Sequence, residues 1–308
     1  MTGIITGFAI IGVLVAAGYL CARLRIGGGK VAEHALGRIS FFIAAPALMF
    51  TVVSDADLGQ LFGLGLAIQA MVVALAAGLY VLASRLWMQQ NPAHTTVGAA
   101  ASAYVNSNNM GLPIAVFVLG NASAVVPVLL LNLLVISPIM LLILDIHASA
   151  APSWKLVLTS PIRHPVIIGS ALGAVVAVSG WQLPLYVYEP LSTLGSAAIP
   201  MILMSFGMSL HGSRFLRPGT GRRAVITAAA IKSLVMPCMA WVLARWVFDL
   251  PQAAVMTAVV IAGLPTAQNV YNYAARFGTG TVLARDTVVL TTALSPLVLA
   301  VAAVAFGP

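Results

Sequence analysis

Residues 3–22, GIITGFAIIGVLVAAGYLCA, carry no charged side chain, and nine further stretches of similar length and character follow along the chain. A run of about 20 apolar residues matches an α-helix crossing the ~30 Å hydrocarbon core of a bilayer. Within that core every backbone N–H and C=O must be satisfied inside helices or inside the protein. The alternating segments of roughly ten residues that build outer-membrane barrels are not the pattern here. The sequence therefore predicts an all-α membrane protein with ten spans, at 3–22, 35–54, 61–84, 94–119, 123–144, 164–180, 189–210, 224–246, 252–276 and 283–305. Only 7% of the 308 residues are charged, where a soluble domain has about a quarter.

The first run lacks a basic flank and a good processing site before Cys21, so it is expected to be a retained span. Cys21 and Cys238 stand singly in apolar helices, without CxxC or metal spacing, and read as packing residues.

The net charge of +8 does not point to nucleic acid, because Lys and Arg sit in short connections between apolar runs. Counted over alternate connections with the N-terminus outside, thirteen of the fifteen basic residues fall on the inner side. Arg245 is outside, Lys232 is within a span, and the outer connection after the second span carries Asp55 and Asp57. This predicts a multi-pass protein of the cell's inner, or plasma, membrane with both termini non-cytoplasmic. The basic run from Arg214 to Arg223 reads as an anchor on anionic lipid.

Four local matches align the halves: Ala44-Ala45-Pro46 with Ala198-Ile199-Pro200, Ser84-Arg85 with Ala244-Arg245, Gly120 with Gly278, and Ser137-Pro138 with Ser295-Pro296. Their offsets are 154, 160, 158 and 158. Five spans per half is an odd number, so the second copy is expected inverted. The expected organisation is a first repeat at 1–146, a cytoplasmic link at 147–163 and a second repeat at 164–308.

Two polar, helix-breaking tracts interrupt the fourth and ninth spans: NSNNMGLP at 106–113 and GLPTAQN at 263–269. An offset of 158 sets Asn106 to Gly111 opposite Leu264 to Asn269. Aligning the two Gly-Leu-Pro triplets instead requires a six-residue slip, and the first register is preferred. Pro113 and Pro265 each remove a backbone donor, and Gly111 and Gly263 are expected to supply unusual torsions. Each span would then be two half-helices, whose N-termini attract anions. Asn106, Asn108, Asn109, Gln268 and Asn269 add neutral donors and acceptors. No carboxylate stands in either tract, which favours a small anion such as an organic carboxylate over a bare cation. The competing reading is that these residues kink helices and join neighbours.

Both tracts resemble the signature interruptions of the auxin efflux carrier family, and the similarity runs over the whole chain. That resemblance implies that the two broken helices cross within a mobile transport domain, spans 3–5 and 8–10. Spans 1, 2, 6 and 7 would form a scaffold that makes a homodimer, and transport would follow an elevator-like alternating access. It implies substrate contact for Asn106 to Pro113, including Gly111, and for Pro265 to Tyr271, including Thr266. The family pattern has a late proline where this chain has Val270-Tyr271, which leaves the crossing residue open. Asn132 and Asp145 keep the family's spacing of a polar residue and an acid. Asn132 either faces the site or packs, and Asp145 reads as structural. The more distant bile-acid symporters share the last two residues of their motif with Gln268-Asn269, but their glutamate position is Leu264 here.

Lys232 either draws in an anion or snorkels to the inner surface. His34, His94, His147, His164 and His211 fall at helix ends and make no evident proton relay, while Glu189 and Asp249 read as solvated outer residues. HExxH, GxSxG and GxxxxGK[ST] are absent, so no enzyme chemistry, cofactor or ATP-driven pumping is expected. The leading expectation is a secondary transporter of small organic anions. The alternatives are a sodium- or proton-coupled symporter of larger amphipathic anions and a sensor built on a carrier fold.

Overall fold

The structure, a computed structural model, describes residues 2–56, 63–148, 164–211 and 221–306. Asp57, Lys155, Arg163, Arg214 and Arg217, with most of the expected link, lie outside them. The described chain is almost entirely helical: α1 (Thr2–Arg23), α2 (Lys30–Ser54), α3 (Leu64–Met88), α4 (Pro92–Ala103), α5 (Leu112–Phe117), α6 (Ala122–His147), α7 (Pro165–Ser179), α8 (Leu185–Leu210), α9 (Arg222–Val247), α10 (Gln252–Ala262), α11 (Gln268–Arg276) and α12 (Thr281–Phe306). Six of these, α2, α3, α6, α8, α9 and α12, are long and apolar enough to cross a membrane. Among the described residues the strand-like pairing is confined to one bridge between Val105 and Thr266.

The outside of the bundle is the inverse of a soluble surface. Val175, Val178, Leu297 and Val304 are exposed, whereas Thr287, Thr291, Lys232 and Ser102 are buried. Lipid solvates an apolar exterior, and polar side chains point inward where partners exist.

Glycines set the closest helix contacts. A Cβ on Gly18 of α1 would collide with the Met204 carbonyl oxygen of α8, and one on Gly207 with that of Val15. The α2–α7 contact is built the same way, with Gly169 against the Pro46 carbonyl and Gly173 against that of Phe50. Backbones that approach this closely tolerate only hydrogen at the contact.

Two pairs of helix ends have similar geometry. α3 closes in a π-helical turn at Ser84–Met88 and α9 in one at Leu243–Val247. A residue with positive φ comes directly after the first, Gln89 at 48°, and one residue later after the second, where Phe248 at φ −105° precedes Asp249 at 45°. Gly120 and Gly278, at φ 68° and 63°, turn the chain into α6 and towards α12. Asn91 caps α4 by accepting from the His94 amide at 2.8 Å.

Candidate functional site at a crossing of two interrupted helices

α4 stops at Ala103 and α10 at Ala262, and the chain continues without helical geometry through Tyr104–Asn106 and through 263–267. The two stretches run antiparallel. The Asn106 amide donates to the Pro265 carbonyl at 2.8 Å, and the Ala267 amide donates to the Tyr104 carbonyl at 3.0 Å. Pro265 fits because only its carbonyl is needed there.

Expectation and structure differ in the first interruption. Irregular backbone occupies Tyr104–Asn106, and the chain is helical again from a π-helical turn at Ser107–Gly111. Pro113 opens α5, where a missing N–H forfeits no helical bond. Gly111 has ordinary helical torsions, φ −66° and ψ −46°, and Gly263 is right-handed too, at φ −76° and ψ −7°. Unusual torsion is therefore not their role. Gly111 provides room, since a Cβ there would meet Val125 Cγ2 at 2.7 Å and Leu264 Cδ1 at 3.1 Å.

Side chains from neighbouring helices satisfy the freed backbone. Asn132 of α6 donates to the Val105 carbonyl at 2.8 Å and to Ser107 Oγ at 3.3 Å. Thr266 Oγ1 donates to the Ala101 carbonyl at 2.6 Å, and the Thr266 amide donates to Thr291 Oγ1 at 3.1 Å. Lys232 Nζ donates to the Ala262 carbonyl at 2.7 Å. Buried backbone groups deprived of helical partners demand such replacements. A hydroxyl cluster braces one flank: Tyr104 and Ser137 share a hydrogen bond of 2.8 Å, and Tyr273 donates to Ser137 at 3.2 Å.

A cavity of about 580 Å³ lies against the crossing. Asn106, Ser107, Asn108 and Asn109 line it from the start of the second half of one interrupted helix. Gln268, Asn269, Asn272 and Tyr273 line it from the other, and Tyr104 completes the crossing side. The facing wall comes from α2, with Glu33, His34 and Arg38, from α8, with Ser205 and Ser209, and from His164. Both half-helix N-termini therefore border one cavity, and the partial positive charge of both ends reaches it. Asn108 Oδ1 and His164 Nδ1, both in residues of this wall, are buried without a partner. Among the described residues no group of three or more His, Cys, Asp or Glu could hold a metal ion.

Of the residues expected at the site, Asn106, Asn108, Asn109, Gln268 and Asn269 line this cavity. Gly111, Pro113, Asn132, Pro265, Thr266, Tyr271 and Lys232 are not part of its wall. Asn132, Pro265, Thr266 and Lys232 hold the crossing itself, and Tyr271 packs partly buried against the core. Lys232 is fully buried, so the snorkelling reading does not hold. Asp145 is buried near the end of α6. Sequence reasoning missed Tyr104, Asn272, Tyr273 and the α2 wall. The spacing of Asn269, Asn272 and Tyr273 marks one helical face, readable only once α11 is known to begin at Gln268.

The interrupted helices of this all-α protein meet beside a half-open cavity with amides and hydroxyls in its wall, and the architecture together with the family match places it in the class of membrane transporters, not enzymes. The chain is a member of the membrane transport protein family, whose profile matches residues 4–303. It is 28% identical over 294 residues to a protein of Rhizobium meliloti (strain 1021) named "Putative malonate transporter", covering 92% of this chain and 89% of that one. It is also 26% identical over 232 residues to an "Uncharacterized transporter" of Methanothermobacter thermautotrophicus, covering 74% of each.

Proposed function

We propose that this chain is a secondary transporter of small organic anions, with malonate or a similar short carboxylate as substrate. The observation that carries the reading is the convergence of both half-helix N-termini on one cavity lined by neutral amides. Such ends bind carboxylates through free N–H groups and the helix dipole, a role that falls to the start of α11, because at the other end the Ser107 and Asn109 amides are taken by the Val105 carbonyl and the Asn106 side chain; the side-chain amides of Asn109, Gln268 and Asn269 adapt as donors. Arg38 on the facing wall supplies a positive charge for a second carboxylate. The name of the Rhizobium relative favours the same chemistry.

The site belongs to ten spans arranged as two inverted five-span repeats. Contacts that recur with partners exchanged support this: Gly18 meets Met204 as Gly173 meets Phe50, at offsets of 155 and 154. The crossing pairs Val105 with Thr266 at an offset of 161, close to the 158 register and far from the Gly-Leu-Pro alignment. α1, α2, α7 and α8 form the scaffold of a homodimer, and the remaining helices move as an elevator carrying the crossing. Both termini lie outside the cytoplasm.

Counterflow of labelled malonate in proteoliposomes tests the function, beside a thermal-stabilisation screen against mono- and dicarboxylates. Asn109→Ala, Asn106→Ala and Gln268→Ala are each expected to weaken the stabilising carboxylate by about tenfold, the effect of losing one hydrogen bond to a charged group. Undiminished binding in all three would place the substrate elsewhere.

A further inference from the structure

Lys232 is 0% exposed, and its amino group meets the carbonyl of Ala262 at 2.7 Å. Ala262 is the last residue of α10, which ends inside the protein, so the carbonyls there form the negative end of a helix dipole away from water. Lys232 reaches it from a π-helical turn, Ile231–Val235, an irregularity that often re-aims a functional side chain.

The other interrupted helix is closed differently. At the end of α4 the Ala100 carbonyl accepts the Tyr104 amide, that of Ala101 accepts the Thr266 hydroxyl, and that of Val105 accepts Asn132. All of those donors are neutral. The two carbonyl ends at the crossing thus differ by one lysine donor. Among the described residues no carboxylate is within ion-pair distance of Lys232, and the buried Asp286 of α12 pairs with Arg285. Burying a charged side chain in a membrane protein is expensive, and it persists where it has a function. Lys232 is not on the cavity wall, so direct substrate contact is not that function.

We propose that the Lys232 ammonium is a resident cation at the carbonyl end of α10, filling the place that a bound alkali cation would otherwise take, so that the crossing assembles and works without sodium. Carbonyl oxygens at a helix C-terminus are hard oxygen ligands suited to an alkali cation, and a tethered ammonium meets the same demand. Lys232 acts as a positioning residue: it holds α10 at the crossing and, through it, the cavity. The proposal deepens the transport reading and rests on it for its functional consequence.

The test uses the full-length protein in detergent and in proteoliposomes, with sodium, choline and methylammonium chlorides as probes. Wild type should melt at the same temperature and exchange labelled malonate at the same rate in sodium as in choline. Lys232→Ala should lose at least about tenfold in exchange rate, and methylammonium, small enough for the vacated space, should restore both rate and melting temperature where choline does not. Lys232→Met, which fills that space without a donor, should stay impaired in all three salts. The proposal is overturned by sodium-dependent exchange in wild type, by wild-type rates in Lys232→Met, or by a folded Lys232→Ala that methylammonium does not rescue. If neither variant can be purified folded, the wild-type comparison decides, because a rate or melting temperature raised by sodium overturns the proposal and equality sustains it. Should wild type exchange no carboxylate at all, the transport reading fails, while methylammonium rescue of the Lys232→Ala melting temperature still decides the lysine's role.

Discussion

Asn132 shows how a polar side chain in a membrane helix is committed before any solute arrives. Its amide already serves the Val105 carbonyl and Ser107. Asn132→Leu leaves that buried carbonyl without its donor and should lower stability by about 1–3 kcal/mol, read as a fall in the melting temperature of purified protein. Gly111→Ala forces a methyl against Val125 and Leu264 and should cost roughly the same, about 1–3 kcal/mol from overpacking. If Gly111→Ala instead melts like wild type, its role as spacer is wrong. The asparagines and Gln268 were legible as site candidates because amides in an apolar run demand partners. Which of them border the cavity and which meet only backbone was not legible, since Asn106 and Asn132 differ only in what the fold brings opposite them.

At the scale of helices, the glycine contacts decide which elements stay together. Gly207 against Val15 and Gly18 against Met204 lock α1 to α8, and Gly169 and Gly173 lock α2 to α7. Gly207→Leu would push backbones apart by more than a side chain can absorb, at or above the ~3 kcal/mol end of overpacking costs. The expected result is loss of the monodisperse peak in size-exclusion chromatography, whereas Gly12→Leu, with nothing within 4 Å of its Cβ position, should leave the peak intact. The interruptions were predictable as elements, from Gly, Pro and Asn inside apolar runs. Their position was not: the first lies at Tyr104–Asn106, because Pro113 can begin a helix as readily as end one. π-helical turns, such as those at Ser84–Met88 and Ile231–Val235, left no mark in composition that a pattern could find.

For the whole molecule, the distribution of basic residues makes an orientation testable. A reporter active only outside the cytoplasm, fused after the C-terminus, should be active, and one fused between α8 and α9 should be silent. The opposite pattern would reverse the sidedness of the cavity that Arg38 and His34 border. The apolar exterior, the all-helical character and the existence of two interruptions followed from the sequence alone, because the bilayer imposes one solvent on every span. The pairing of Val105 with Thr266, the sharing of one cavity by Asn109 and Gln268, and the burial of Lys232 against Ala262 came only from the tertiary structure. Residues 30 positions apart, as Lys232 and Ala262 are, or 161 apart, as Val105 and Thr266 are, carry no local signal of each other. Their contact depends on how helices stack, and that depends on the small shapes of glycines, whose meaning is set by the backbone opposite.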